Sequence, residues 1–466
     1  MNKDNQKQLL HTDEETIIAQ CSPHGNGAIG LIRLSGTNCI EITDKISKLA
    51  SGKKLIETAS HTICYGSIID AHNRIIDNVM FLLMHGPKTF TGQNTVEITA
   101  HNNPFILQSI IDLAIKNGAR LAKNGEFTKR AFLNNKIDLI QAEAINELIH
   151  SQTQIALKSS LSQLNGSLSF YIEKIQKNLI KALAFSEASF EFIDEEHLEF
   201  GKKIKKIVNN TIKSIESLKK SFNQKNQIKE GVRVALIGSV NAGKSSLFNM
   251  LLNKKRAIVT NIAGTTRDVI EAGRYLDQTY QTLIDTAGLR KTNDIIEKEG
   301  INKSHQEAQK ADIILLVVDN SKILTNLEIE TYNSFIEKYE NKIILIGNKS
   351  DLKQENNKLL KKNDIHTSSN NKESIEKLET VLAEKVKKLF SSISSPFLLN
   401  KRQYNLLIKL EQELKNSIVP LLQETISYEL LSFHLNDALI HISELSGKSI
   451  SEAGMDAVFR EFCVGK

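Results

Sequence analysis

Gly238-Ser-Val-Asn-Ala-Gly-Lys-Ser-Ser246 decides the fold. It follows an apolar run, Val232-Arg-Val-Ala-Leu-Ile237, and leads into Leu247-Phe-Asn-Met-Leu-Leu252. Strand, glycine loop and helix start succeed one another with the spacing Gly238-x4-Gly243-Lys244-Ser245 of a P-loop. Each residue type has a physical task. Glycines let backbone N–H groups turn inward around phosphates, Lys244 adds a fixed charge, and Ser245 offers a hydroxyl to Mg²⁺. The helix N-terminus behind the loop adds partial positive charge. The stretch implies a nucleotide-binding α/β domain.

The chain has 466 residues, a length that suggests two to four domains. Apolar residues make up 40%, enough for packed cores, and the net charge of +6 permits a polyanionic partner without requiring one. Cys21, Cys39, Cys64 and Cys463 show no CxxC spacing, which argues against a zinc site or disulfide framework and for a reducing compartment. The polar start Met1-Asn-Lys-Asp-Asn-Gln-Lys lacks an apolar core, so no signal peptide is expected. No apolar run approaches the length of a membrane helix. A cytoplasmic protein is expected.

Residues 1–14 read as a frayed end. Strand-like runs follow at 16–21, 27–34, 61–69, 78–84 and 95–99, interrupted by helical periodicity at 40–49 and 105–117. They predict an α+β domain over 1–134 that exits through Gly125-Glu-Phe-Thr-Lys-Arg-Ala-Phe-Leu-Asn134. From about 139 to 222 glycine and proline nearly vanish and apolar residues fall three and four apart. One series is Leu161, Leu164, Leu168, Ile172, Ile175, Leu179 and Leu183; a second is Ile204, Ile207, Thr211, Ile215, Leu218 and Phe222. Between them Phe190-Glu-Phe-Ile-Asp-Glu-Glu196 reads as an acidic corner. The stripes predict the core of a helix bundle. Helical periodicity returns after Pro396, from Tyr404 to Leu421 and from Leu431 to Leu445. The expected organisation is therefore 135–229 and 391–466 as two parts of one helical domain, with an α/β GTPase domain, 230–390, inserted between them.

Within that insert, further stretches follow in the order guanine-nucleotide chemistry needs. Asp285-Thr-Ala-Gly288 ends an apolar strand, where a carboxylate can reach Mg²⁺ through water and Gly288 can meet a γ-phosphate. Asn348-Lys-Ser-Asp351 follows the strand 342–347. The Asp351 carboxylate can accept from guanine's N1–H and amino group together, a donor pair adenine lacks. Ser368-Ser-Asn370 stands where a short loop braces the guanine, in degenerate form. In Thr260-Asn-Ile-Ala-Gly-Thr-Thr-Arg-Asp268, Thr266 is chosen to complete the Mg²⁺ shell. Leu289 occupies the position of a water-orienting glutamine and cannot orient water, so hydrolysis must borrow a group. Asn241, whose amide could help hold a monovalent cation, and the carboxylates around Glu297 are the two candidates.

The P-loop, Gly264-Thr-Thr-Arg-Asp268, Asp285–Gly288 followed by Leu-Arg, and Asn348–Asp351 resemble the TrmE–Era–EngA–YihA branch of GTPases. Phe90-Thr-Gly92, Gly125-Glu-Phe127, Arg130–Asn134 and the ending Phe462-Cys-Val-Gly-Lys466 narrow the resemblance to the MnmE (TrmE) family of tRNA-modification GTPases, over essentially the whole chain. The fold this resemblance implies has three parts. They are an N-terminal α+β tetrahydrofolate-binding and dimerisation domain, a discontinuous α-helical domain, and an inserted Ras-like P-loop GTPase domain. The resemblance further implies a homodimer that works on tRNA with the flavoprotein MnmG, without a membrane. It implies installation of a carboxymethylaminomethyl or aminomethyl group on C5 of the wobble uridine, with a one-carbon unit from a tetrahydrofolate derivative of 5,10-methylene or 5-formyl type.

The implied GTP contacts are Asn241, Ala242, Gly243, Lys244, Ser245 and Ser246 in the loop, then Thr260, Asn261, Ile262, Ala263, Gly264, Thr265 and Thr266. Asp285, Thr286, Ala287, Gly288, Asn348, Lys349, Asp351, Ser368, Ser369 and Asn370 complete them. Mg²⁺ falls to Ser245 and Thr266; K⁺, which drives G-domain dimerisation and hydrolysis, falls to Asn241, Thr260, Ile262 and Thr265. The family's water-positioning glutamate falls on Glu297, and its folate contacts on Arg33, Glu97, Lys136 and Lys466. Without the resemblance, Arg33 and Lys136 read as surface charges and Glu97 as a water-facing strand residue.

Two other functions compete. A ribosome-assembly GTPase that gates RNA association predicts an RNA-binding domain such as a KH fold after residue 391, where the pattern is helical. A scaffold in which GTP only sets conformation has no use for a folate site.

Overall fold

The computed structural model describes residues 15–25, 27–189, 196–220, 222, 231–252, 270–276, 279–286, 304–353, 355, 359–360, 364–368, 371–391, 397–423 and 426–465, the side chains of 196–198 and 391 excepted. The frayed end, the acidic corner 190–195, and the expectations on 260–268, Ala287 to Arg290, Glu297, Ser369, Asn370 and Lys466 lie outside these residues. Two compact units emerge: Met1–Asn146 with Ser162–Ile212 and Asn405–Lys466, and Glu147–Leu161 with Lys213–Tyr404.

In chain order the elements begin with β1 Ile17–Gln20, β2 Ile29–Ser35, α1 Cys39–Lys45, β3 Ser47–Leu49, β4 Thr62–Ile69 and β5 Ile75–Met84. Then come β6 Thr95–His101, α2 Pro104–Lys116, β7 Arg120–Leu121, α3 Glu126–Leu133, α4 Leu139–Ile149 and α5 Gln154–Leu164. Two long helices follow, α6 Ser167–Ala188 and α7 Glu196–Lys220. The nucleotide-binding segment brings β8 Val232–Ile237, α8 Lys244–Leu252, β9 Ile270–Leu276, β10 Thr279–Asp285, β11 Ile313–Asp319 and α9 Asn326–Tyr339. It continues with β12 Ile343–Asn348, β13 Ile365–His366 and α10 Lys372–Ser391. The chain closes with α11 Lys401–Gln412, a π-helical turn Glu413–Ile418, α12 Tyr428–Ser446 and α13 Glu452–Arg460.

In the first unit seven strands form one sheet, in the order β3-β4-β5-β6-β2-β1-β7, antiparallel except for β1 beside β7. Alternation along each strand sorts the faces. Ile32 and Leu34 of β2, Val79, Phe81 and Leu83 of β5, and Val96 and Ile98 of β6 bury against α1 and α2. Arg33 and Glu97 therefore stand on the opposite face. The helix expected over 40–49 stops at Lys45, and Ser47–Leu49 pair with Gly66–Ile68 as a strand. Ile46 and Leu49 are buried in that arrangement, and a spacing of three apolar positions cannot tell a helical turn from a bend into a strand.

At the exit segment Arg130 has no exposed surface. It donates to Glu15 O at 2.8 Å, Gln93 Oε1 at 2.9 Å and Glu126 Oε1 at 3.1 Å. Arg120 grips Glu126 with two nitrogens, at 2.9 and 2.6 Å. Burial pushes the Glu126 carboxyl up. Hydrogen bonds from Arg120 and the Lys123 N–H, with the charges of Arg120 and Arg130, outweigh burial and hold it at about 2 instead of 4.5. A depressed carboxyl stabilises the fold above its unfolded pKa, and that stability drains away as pH falls from 4.5 toward 2. The amount is on the order of 3 kcal/mol. Thermal unfolding scanned between those pH values should show the loss, and Glu126→Gln should flatten it; a variant as acid-sensitive as the wild type would exclude this source.

Helices on either side of the nucleotide-binding segment pack on each other. Leu168, Ile172, Ile175, Leu179, Ala182 and Ser186 of α6 bury at alternating spacings of four and three, as do Leu431, Leu435, Ala438, Ile442 and Leu445 of α12. That seam is the pattern of antiparallel bundle helices. Polar contacts fix its register: Ser432 donates to the Ser186 hydroxyl at 2.8 Å, and Gln176 to Ser443 at 3.0 Å. The expected stripe runs too far back, for Leu161 on α5 is 48% exposed. On α7 Ile204, Val208 and Ile215 are fully buried, and Ile207 is only half-buried. The chain end folds onto the first domain. Met455, Phe459 and Phe462 cluster with Leu139 and Phe132, the Gly125 N–H donates to Cys463 O at 3.3 Å, and Cys21 Sγ donates to Gly465 O at 3.1 Å.

The second unit holds a six-stranded sheet, β13-β12-β11-β8-β10-β9, parallel except where β9 runs against β10. Val232, Val234 and Leu236 of β8 pack on one side with α8 and α10; Ala235 and Ile237 pack on the other with Tyr332 and Phe335 of α9. Helices thus cover both faces, as a buried parallel sheet requires.

Candidate functional site

The loop between β8 and α8 stands beyond the carboxyl end of a central strand, where open α/β sheets bind ligands. Lys244, the first residue of α8, is 6% exposed. Its ammonium donates to Gly238 O and Ser239 O, both at 2.7 Å. Burial pulls its pKa down to about 8, with the charge of Asp285 opposing that pull. Asp285 ends β10 at 1% exposure, and the neighbouring Thr286 hydroxyl donates to Leu236 O at 2.8 Å. Ser245 and Ser246 present exposed side chains on the first turn of α8.

Asn241 is exposed, in the left-handed region at φ +63°, a conformation asparagine tolerates better than most residues. Its choice thus has a backbone reason beside the cation-binding one. At Gly243, φ is +92° and an added Cβ would lie 2.1 Å from Asn348 Nδ2. That closeness has a purpose: Asn348 donates to Ala242 O at 2.8 Å and accepts from Thr367 Oγ1 at 3.1 Å, tying the base-reading corner to the phosphate loop.

Lys349, also left-handed at φ +61°, donates to Asp319 Oδ2 at 2.6 Å. Burial raises the Asp319 carboxyl, but hydrogen bonds from Lys349 and Ser321 prevail and lower it. Asp351 is exposed at the lip of this corner. Ser368 is buried, and its N–H donates to Ser374 Oγ at 3.2 Å. The sequence reading missed Asp319; an aspartate closing the run Ile313-Ile-Leu-Leu-Val-Val-Asp319 was the available signal.

In the first unit Arg33 and Glu97 are directly opposite across β2 and β6. Arg33 Nε and an Nη donate to the same oxygen, Glu97 Oε1, at 2.8 and 2.7 Å, and each side chain is 17% exposed. Neither is a lone water-facing charge. The Arg33 guanidinium also lies 5.9 Å from the Phe90 ring and 5.6 Å from that of Phe127, cation–π distances. Lys136 is exposed and donates to Pro87 O at 2.9 Å.

A lysine sunk at a strand-to-helix loop and an asparagine corner bonded to that loop put this chain in the class of P-loop GTPases. The family model described as "GTP-binding protein TrmE N-terminus" matches residues 16–136, and that described as "MnmE helical domain" matches residues 139–463. The chain belongs to the MnmE family. A relative from Acetivibrio thermocellus, named tRNA modification GTPase MnmE, is 36% identical over 97% of this chain and 99% of its own. One of the same name from Aquifex aeolicus is 36% identical over 97% of this chain and all (100%) of its own. Among solved structures, the G domain of the T. maritima FeoB iron transporter is 26% identical, covering 34% of this chain and 98% of that chain, with TM-score 0.23.

Proposed function

We propose that this GTPase acts in tRNA modification. With the flavoprotein MnmG it adds a carboxymethylaminomethyl or aminomethyl group to C5 of wobble uridine, using a one-carbon unit from a tetrahydrofolate derivative. The observation that carries this reading is the pair of near-full-length relatives that bear the name tRNA modification GTPase. The working protein is a cytoplasmic homodimer divided at 1–134, 135–229, 230–390 and 391–466. Among the described residues no helix is long and apolar enough to cross a membrane. Those between 397 and 465 contain no strand, which leaves no sheet there for the rival KH-type RNA-binding domain.

GTP is held by the loop and corner residues already named, Mg²⁺ by Ser245 and Thr266, and K⁺ by Asn241, Thr260, Ile262 and Thr265. A buried ammonium beside two exposed serines and a buried carboxylate suits a triphosphate with its metal. Glu297 places the attacking water, since Leu289 cannot. Arg33, Glu97, Lys136 and Lys466 hold the folate; a carboxylate suits the pterin's donor edge, and the cations suit its glutamate tail.

GTP turnover should be faster in K⁺ than in Na⁺ and should fall steeply in Glu297→Ala. Equal rates in the two salts with an unimpaired variant would refute the hydrolysis mechanism. Removing the gene should strip the modification from wobble uridines, and unchanged uridines would refute the modification role.

A further inference from the structure

The loop that cradles phosphate has a second anchor, on α9. The Ser239 N–H donates to Tyr332 Oη at 2.8 Å, and that hydroxyl donates in turn to Val317 O on β11 at 2.9 Å. Tyr332 is 3% exposed, and burial raises its pKa, so Oη keeps the proton it gives to Val317. Val317 O also lies hard against Gly238: a Cβ added there would be 2.1 Å from it and 3.4 Å from Tyr332 Oη.

The Ser239 N–H and the Gly238 carbonyl belong to one peptide unit. The only cis bond among the described residues is Gly86–Pro87, so this unit is trans and planar, and its N–H and C=O point in opposite directions. Holding the N–H toward Tyr332 therefore aims the carbonyl away from it, and Gly238 O is one of the two acceptors of the Lys244 ammonium. We infer that Tyr332 is a positioning residue for Lys244: its hydroxyl fixes the Gly238–Ser239 peptide, which sets where the lysine's charge stands over the phosphates.

The contribution belongs to the hydroxyl rather than the ring, because the ring packs with Phe335 and Leu324 in a core that phenylalanine would fill equally. It acts at the Gly238–Ser239 peptide, upstream of Ala242, where the base-reading corner joins the loop. The corner at Asn348–Asp351 takes its support from Ala242, Thr367 and Asp319.

Tyr332→Phe separates the two ends. The inference rests on residues 238–246 being the phosphate site, and wild-type protein that binds no GDP would overturn both. Given wild-type binding, the dissociation constant for GDP, followed with a fluorescent analogue, should rise about tenfold in Tyr332→Phe. That for guanosine, which carries the base and no phosphate, should stay within about twofold by competition. A GDP constant that does not move overturns the proposal. So does a parallel loss of guanosine binding, which would mark a general loosening of the domain.

Discussion

Lys244→Met is expected to cut GTP turnover by a factor on the order of 10³. The residue is nearly sealed from water, and its ammonium donates to two loop carbonyls. A charge fixed in so dry a place acts on phosphate far more strongly than the same charge in water. Its pKa of about 8 leaves it protonated at neutral pH. Methionine fills much the same volume and carries no charge, so the loss reports the ammonium rather than a cavity. Lys244→Arg should fail nearly as badly, because a planar fork cannot replace a compact cation between those two carbonyls. Phosphate release at saturating GTP measures the effect, with circular dichroism confirming the fold. Turnover within tenfold of wild type would contradict the assignment.

The largest structural effect is expected at Arg130. It is fully enclosed and satisfies acceptors on four separate segments, Glu15, Ser35, Gln93 and Glu126. Arg130→Ala leaves Glu126 to Arg120 alone, takes a donor from the other acceptors and opens a cavity; removing one partner from a buried charged network costs about 3–5 kcal/mol. Arg130→Lys recovers little, since one ammonium cannot reach acceptors spread around a guanidinium plane. The chain is multidomain, so the expected result is an earlier first transition in urea, with faster proteolysis of the N-terminal domain, rather than one shifted midpoint. A first transition within about 0.5 kcal/mol of wild type would show that the network contributes nothing.

These two residues were unequally legible in the sequence. Lys244 stands in a nine-residue stretch whose chemistry is local, and spacing alone marks it. The same holds for Asn348 to Asp351 and for the helices around 168–186 and 431–445, where a single period carries the message. Arg130 sits in a segment read as an exit, because the groups that enclose it are up to 115 positions away. Arg33 and Glu97 entered only through resemblance; their pairing depends on the β2–β6 register, which joins positions 64 apart. Tyr332 carries no motif, and its partner Ser239 lies 93 positions upstream. Leu161 shows the opposite failure, a correct period extended one helix beyond the surface it covers.

The return of the chain end to the first domain has a consequence for biosynthesis. Cys21, just past β1, and Gly125, just before α3, donate to the carbonyls of residues 465 and 463, which leave a ribosome long after them. Translation at roughly 5–20 residues per second puts some tens of seconds between the domain's sheet and those contacts. Throughout that interval Phe132 and the apolar side of α4 lack Phe459 and Phe462. A nascent chain arrested just short of residue 455 should therefore engage chaperones and yield to protease at 125–145, while a released chain that includes residues 455–465 should not.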